Sequence, residues 1–160
     1  MADLSGLAMS LVQQFTRAGR MIATAESCTG GMIAAAITDI PGSSAVLDRG
    51  FVTYSNEAKE DMIGVSVATL EAHGAVSRET AIEMAEGALS RSRADLAVSV
   101  TGVAGPDGGS AEKPIGLVHM ALARRDGPTT HREFRFDDLG RAYIREATVE
   151  KALDALIAAG

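Results

Sequence analysis

The chain has 160 residues, enough for one domain with a full core, and its 46% hydrophobic and 22% charged residues are the balance of an ordinary soluble globular protein. A formal net charge of −6 with no run of lysine or arginine speaks against a duplex-binding surface, which needs clustered cations to neutralise phosphates, so no nucleic-acid partner is expected. The single cysteine, Cys28, excludes an internal disulfide framework and fits a reducing, cytoplasmic compartment, and the segment from Met1 to Phe15 has neither a basic n-region nor an unbroken apolar stretch, so no signal peptide and no membrane span are read.

Tryptophan is absent and aromatics make up only 4%, so the core must come from Ala, Val, Leu, Ile and Met, with helices lying close to a sheet. Leu4, Leu7, Ala8, Leu11, Val12 and Phe15 recur at helical spacing, with Asp3 as N-cap and Gly19 as stop. Met21 to Ala25 reads as a short buried strand, ended by Glu26-Ser27-Cys28-Thr29-Gly30-Gly31. An alanine-rich helix then runs from Met32 to Ile40 and stops at Pro41-Gly42. Val46 to Tyr54 is the next strand, and Ser55 or Asn56 caps a short helix through Met62. Two more helical pieces span 66–72 and 77–90, the second with Ser77 as N-cap and Ile82, Ala85, Ala88 and Leu89 as its buried stripe. Leu96 to Val100 is the apolar run of a strand covered on both faces. A Gly/Pro-rich loop from Gly102 to Pro114 leads into the strand Gly116 to Ala123. Turn chemistry at Arg124 to Pro128 predicts an antiparallel return by His131 to Phe136, and the last helix runs from Leu139 to Ala158. Helices alternating with strands predict a single three-layer α/β/α domain over 1–160 with a mixed, mostly parallel sheet.

The strand-to-helix turn from Glu26 to Gly31 is the first place where chemistry is expected. A helix start offers unpaired N–H groups and the positive end of the helix dipole, which suit a phosphate or a developing oxyanion. Gly30 and Gly31 let a ligand approach the backbone closely. The alternative is that Ser27 or Thr29 simply caps the helix. The turn holds three nucleophiles, Ser27, Cys28 and Thr29. Cys28 sits near a helix N-terminus, where thiol pKa values fall, yet it also fits a small buried residue among alanines. A cysteine hydrolase would also want a histidine base, and the sequence does not bring His73, His119 or His131 to this turn: His119 faces one side of a strand, and the other two read as exposed.

The segment Thr101-Gly102-Val103-Ala104-Gly105-Pro106-Asp107-Gly108-Gly109-Ser110 presents successive N–H groups as an anion nest, or else is a mobile surface loop. Its place at the carboxyl end of a strand favours a ligand. Neither GxxxxGK[ST] nor GxGxxG occurs, so an ATPase or dinucleotide oxidoreductase is unsupported. The third constellation is Thr53-Tyr54-Ser55-Asn56-Glu57-Ala58-Lys59. A serine hydrolase without histidine needs another base, and a lysine of depressed pKa can serve. Ser55 and Lys59 lie one helical turn apart and form a conceivable local pair, but Ser55 reads better as an N-cap and Lys59, on pattern alone, as a solvated helix lysine. Without HExxH or paired CxxC, no metal and no cofactor are expected. Arg141 and Arg145, one turn apart on the last helix, are spaced to clamp a phosphate, although Arg141 alone reads as solvated.

Four motifs in order, Thr24 to Gly31, Pro41-Gly42-Ser43-Ser44, Gly50 to Lys59 and Thr101 to Ser110, resemble the CinA C-terminal domain family. Its members form the C-terminal domain of competence/damage-inducible proteins or stand alone as nicotinamide-nucleotide amidohydrolases. The resemblance covers nearly the whole chain and implies a hydrolase acting on a linear carboxamide: deamidation of nicotinamide mononucleotide to nicotinate mononucleotide and ammonia, a step of pyridine nucleotide recycling. It implies Ser27 as nucleophile, Lys59 and Tyr54 from the YSNEAK motif, and Thr101 from the TGxAGP loop. On this reading Lys59 acts as base, either directly or relayed through Tyr54, and backbone N–H groups around Thr29 and Gly30 hold the oxyanion, with Gly31 in the same substrate-binding turn. Thr101 orients the site by hydrogen bonding, and Gly105, Gly108, Gly109 and Arg145 hold the ribose phosphate. For the lysine to act near neutral pH its pKa must fall from about 10.4 by roughly two to three pH units, which burial can supply. Activity belonging to the extra N-terminal domain of larger relatives is expected to be absent. A homo-oligomer is expected, with the apolar helix Leu4 to Phe15 suited to burial against a twin. Two competing readings are a non-enzymatic partner-binding module linked to competence and DNA damage, and a hydrolase dependent on Cys28.

Overall fold

In the computed structural model, which describes residues 3–160, helix α1 (Leu4–Ala18) leads through Gly19, in the left-handed region at φ 65°, into strand β1 (Ile22–Glu26). Met1 and Ala2 of the expected domain lie outside the described residues. Helix α2 (Met32–Thr38) and a short 3-10 turn at Ser43–Ala45 connect to β2 (Leu47–Val52). Three helices follow, α3 (Asn56–Ile63), α4 (Val67–His73) and α5 (Arg78–Ser90), and each begins with a serine whose side chain accepts a backbone N–H: Ser55 from Ala58, Ser66 from Thr69, Ser77 from Thr80. Strands β3 (Leu96–Gly102), β4 (Leu117–Arg124) and β5 (Thr130–Arg135) and helix α6 (Arg141–Ala159) complete the chain.

The sheet has the order β2-β1-β3-β4-β5. β1 pairs in parallel with both β2 and β3, while β4 is antiparallel to β3 and to β5. Four strands therefore share one direction and only β4 is reversed, giving the expected mixed sheet. Alternation along the central strands divides it into two unlike faces. Ile22, Leu96, Val98, Val100, Val118, Met120 and Leu122 pack beneath α1, α2 and α6. On the other face Ala23, Ala25, Ala97, Ala121 and Ala123 meet α3, α4 and α5. Small residues on this second face let α5 lie close. At Gly87 an added Cβ would fall 1.8 Å from the Ile63 carbonyl oxygen, so α3 and α5 touch backbone to backbone.

Several expectations need correction. Asp3 precedes α1 in extended conformation but makes no side-chain cap. The 3-10 turn at Ser43–Ala45 lies between the expected helix and strand, β3 runs on to include Thr101, and α6 starts at Arg141 rather than Leu139. The apolar face of α1 (Ala8, Leu11, Val12, Phe15) is buried in the chain's own core, so it is not free for a second copy. No helix among the described residues is long and apolar enough to cross a membrane.

Candidate active site

Because β2, β1 and β3 run parallel, their carboxyl ends lie side by side, and the segments that leave them converge. Successive residues leaving β1 turn to opposite sides. Glu26 is buried beneath α2, where its carboxylate accepts from Thr29 Oγ1 at 2.5 Å, Ile33 N–H at 2.8 Å and Ala34 N–H at 3.1 Å. The donors at the start of α2 are thus spent on Glu26. The N-cap position belongs to Gly31, at φ 106°, with no side-chain cap from Ser27 or Thr29. Sequence reasoning missed Glu26; its signal was an acidic residue where a strand hands over to a helix N-terminus.

Ser27 is held by its own N–H, which donates to Val100 O at 3.1 Å and extends the β1–β3 ladder. Its Oγ lies 3.0 Å from Lys59 Nζ. Lys59 is the second departure from the sequence reading: its relative exposure is 0%, not that of a solvated helix lysine. It is brought inward because β2 neighbours β1, and α3 follows directly on β2. The amine also donates to Thr53 O at 2.8 Å and Tyr54 O at 3.2 Å. A neutral amine has two hydrogens and one lone pair, so with both hydrogens taken by carbonyls the lone pair is left for the Ser27 hydroxyl. Burial pushes the Lys59 pKa down to about 8, against the opposing charge of the neighbouring Cys28. Ser55 caps α3 and is not the partner of Lys59.

Cys28 is also buried, and desolvation, reinforced by the negative charge of Glu26, pushes its thiol up to about 11 against the opposing pull of its own backbone N–H, Arg145 and Lys59. That leaves it a thiol near neutral pH, which removes the basis for a cysteine nucleophile. His119 and His131 pair with each other, Nδ1 to Nε2 at 2.9 Å, and neither lines the cavity at Ser27.

A cavity of about 300 Å³ opens over Ser27 and Lys59, walled by Cys28, Tyr54, Ala75, Val76, the run from Thr101 to Gly105, Asp107, Gly108 and Arg141. Thr101 lies on the wall, its hydroxyl donating to Ala75 O at 2.8 Å rather than to Ser27 or Lys59. Of the expected contact residues, Gly105 and Gly108 reach the cavity. Gly109 lines a separate surface hollow, and Thr29, Gly30, Gly31 and Arg145 are not on the wall. Tyr54 is 61% exposed, and its hydroxyl accepts from Arg141 Nη2 at 3.1 Å. Its carbonyl meets Lys59, and Lys59 contacts Ser27 directly with no phenol between them. The two arginines also exchange places relative to expectation. Arg141 lines the cavity and donates to Gly105 O at 2.7 Å, whereas Arg145 donates to Cys28 O at 3.0 Å and Thr29 O at 3.3 Å. Gly30 N–H is bound to Ser27 O at 3.1 Å, the Cys28 N–H faces its own sulfur, and among the described residues the N–H groups of Thr29 and Gly31 have no acceptor. The Gly30 N–H, one of the expected oxyanion donors, is thus already taken within the turn.

The sequence profile of the CinA C-terminal domain matches residues 4–159. The chain belongs to the CinA C-terminal domain family. Within this family, the nicotinamide-nucleotide amidohydrolase PncC of Escherichia coli (strain K12) is 52% identical over 147 residues, covering 92% of this chain and 89% of PncC. A putative competence-damage inducible protein of Acetivibrio thermocellus is 56% identical over 133 residues, covering 83% of this chain and 32% of that longer protein. The crystal structure of the competence/damage inducible protein CihA from Agrobacterium tumefaciens superposes with a TM-score of 0.96 at 60% identity, covering 99% of this chain and 96% of CihA. In this CinA fold the elements that gather the site are the ends of the three parallel strands. Serine, lysine and cavity arrive from three separate segments of the chain.

Proposed function

We propose that this CinA-family chain is an amidohydrolase of nicotinamide mononucleotide, releasing ammonia and leaving nicotinate mononucleotide by acyl transfer through Ser27. The observation that carries the reading is the buried Lys59 amine, 3.0 Å from Ser27 Oγ and lowered to about 8. The identity shared with PncC supports the choice of substrate.

Lys59, neutral, takes the Ser27 hydroxyl proton as Oγ attacks the carboxamide carbon. The carbonyl π pair moves onto oxygen, where the free N–H groups of the Ser27 turn receive the charge. The tetrahedral intermediate collapses, the C–N bond breaks, and the Lys59 ammonium gives its proton to the departing nitrogen, which leaves as ammonia. Water then attacks the ester carbon, losing one proton to the neutral Lys59, Lys59 returns it to the Ser27 oxygen as the ester C–O bond breaks, and the carboxylic acid so formed gives its remaining proton to solvent. Thr101 and Arg141 act on the walls, the first fixing the Ala75 segment and the second tying Gly105 to Tyr54 across the mouth. A partner-binding module would have no use for a fully buried lysine beside a serine, since an amine taken out of water costs folding energy. Recycling of pyridine nucleotides in the cytoplasm is part of the same reading, in keeping with a free cysteine.

The test is ammonia release from purified protein given nicotinamide mononucleotide. Turnover is expected in the wild type and in Cys28→Ala, and loss of at least about a thousandfold in Ser27→Ala and Lys59→Met. Retention by Ser27→Ala with loss in Cys28→Ala would reverse the assignment of the nucleophile.

A further inference from the structure

We propose that Arg145 is a positioning residue for this reaction: from α6 it fixes the peptide plane whose Thr29 N–H receives the oxyanion, and it does not hold substrate phosphate. The inference rests on the amidohydrolase reading and adds the device that keeps one of its donors aimed.

A trans peptide is planar, so the carbonyl of one residue and the N–H of the next point in opposite directions, and pinning one end aims the other. In the turn after β1, the Ser27 carbonyl accepts from Gly30 N–H at 3.1 Å, which fixes the plane bearing the Cys28 N–H from within the turn. The Cys28 carbonyl has no such partner in the turn. It accepts instead from Arg145 Nε at 3.0 Å, so the plane bearing the Thr29 N–H is fixed from outside, and that N–H is directed away from α6. The Thr29 carbonyl accepts from Met32 N–H at 3.1 Å and from Arg145 Nη2 at 3.3 Å. One planar guanidinium thus bridges two successive carbonyls, a geometry its rigid fork allows and an ammonium cannot match. It also lies close against the turn: a Cβ at Gly30, whose φ is 58°, would sit 3.5 Å from Nη2. Two of the nitrogens that a phosphate would need are occupied, and the cavity wall carries Arg141 in its place.

The experiment measures kcat and KM for nicotinamide mononucleotide in wild type, Arg145→Ala and Arg145→Lys, with thermal melts as a check on folding. Deleting an oxyanion donor costs about 10²–10³ in turnover, and loosening one is expected to cost about 10–10², with KM moving by less than about threefold. Added guanidinium ion is expected to restore part of the lost kcat in Arg145→Ala. Arg145→Lys, which can reach one carbonyl, is expected to fall between the two and serves if the alanine variant does not fold. A rise in KM with kcat kept, or wild-type kcat in both variants, overturns the proposal. Wild-type protein that releases no ammonia would sink the substrate reading by itself. Amide hydrogen exchange at Thr29 in the ligand-free protein then decides the clamp: faster exchange in the variants than in wild type supports it, and unchanged exchange overturns it.

Discussion

Replacing Glu26 by alanine is the most demanding test of how the Ser27 turn is built. The carboxylate is 1% exposed and is the acceptor for two N–H groups of α2 and for the Thr29 hydroxyl. Removing it strands three donors, two of them buried and one part-buried, each buried one worth about 1–3 kcal/mol when left unpaired, and also removes the favourable contact with the positive end of α2, about 0.3–1 kcal/mol. Some relaxation and water entry will offset part of the sum, which leaves roughly 3–5 kcal/mol. At about 2–4 °C per kcal/mol for a chain of this size, the melting temperature should fall by about 6–20 °C. Glu26→Gln keeps the shape and one acceptor but turns an amide N–H₂ toward a backbone N–H, so a smaller loss of about 1–2 kcal/mol is expected. Thermal melts by circular dichroism read both, and the ammonia assay well below the melting point reads the turn itself, where Glu26→Ala should lose turnover before it unfolds. A Glu26→Ala protein melting within about 2 °C of wild type would refute the assignment of this side chain as the anchor of the turn.

Protonated below its pKa, the Lys59 amine cannot accept a proton, so kcat/KM should fall tenfold per pH unit below about 8 and level off above it. At pH 7 about a tenth of the amine is neutral. A pH-independent rate between 6 and 9 would contradict this. With a thiol pushed up to about 11, Cys28 should resist alkylation at pH 8, where about one thiol in a thousand is ionised, and Cys28→Ala should retain most of the activity. Rapid modification of the folded protein by iodoacetamide would count against that environment. Gly87→Ala forces a methyl to within 1.8 Å of the Ile63 carbonyl oxygen and should cost at least about 2 kcal/mol in denaturant melts, whereas a neutral result would mean that α3 and α5 are not in backbone contact.

Periodicity and turn chemistry made the elements legible: the apolar face of α1, the serine caps of α3 and α5 and the buried run of β3 all follow from local pattern. The site was legible only through its motifs, because its chemistry depends on long-range adjacency. Nothing within the segment Thr53 to Lys59 says that the lysine turns inward; that follows from β2 lying beside β1, which places α3 over the end of Ser27's strand. Arg141 and Arg145 are one helical turn apart, and only the way α6 packs decides that the first meets the cavity and the second the turn. Tyr54 was assigned through its hydroxyl, yet the group that matters to Lys59 is its carbonyl, which no side-chain motif encodes. Glu26 was passed over because a carboxylate at the end of an apolar strand reads as the edge of a loop until the helix it anchors is in view.

The claim on which the chemistry depends is a lysine amine that is neutral in an appreciable fraction of molecules near neutral pH. Lys59, Lys113 and Lys151 are the only lysines, so heteronuclear NMR of lysine labelled at Cε and Nζ, assigned with Lys59→Arg, can follow each amine separately. Lys59 is expected to titrate near 8, with the pH profile of turnover sharing its midpoint. A Lys59 midpoint near the ordinary value of about 10.4 would contradict it.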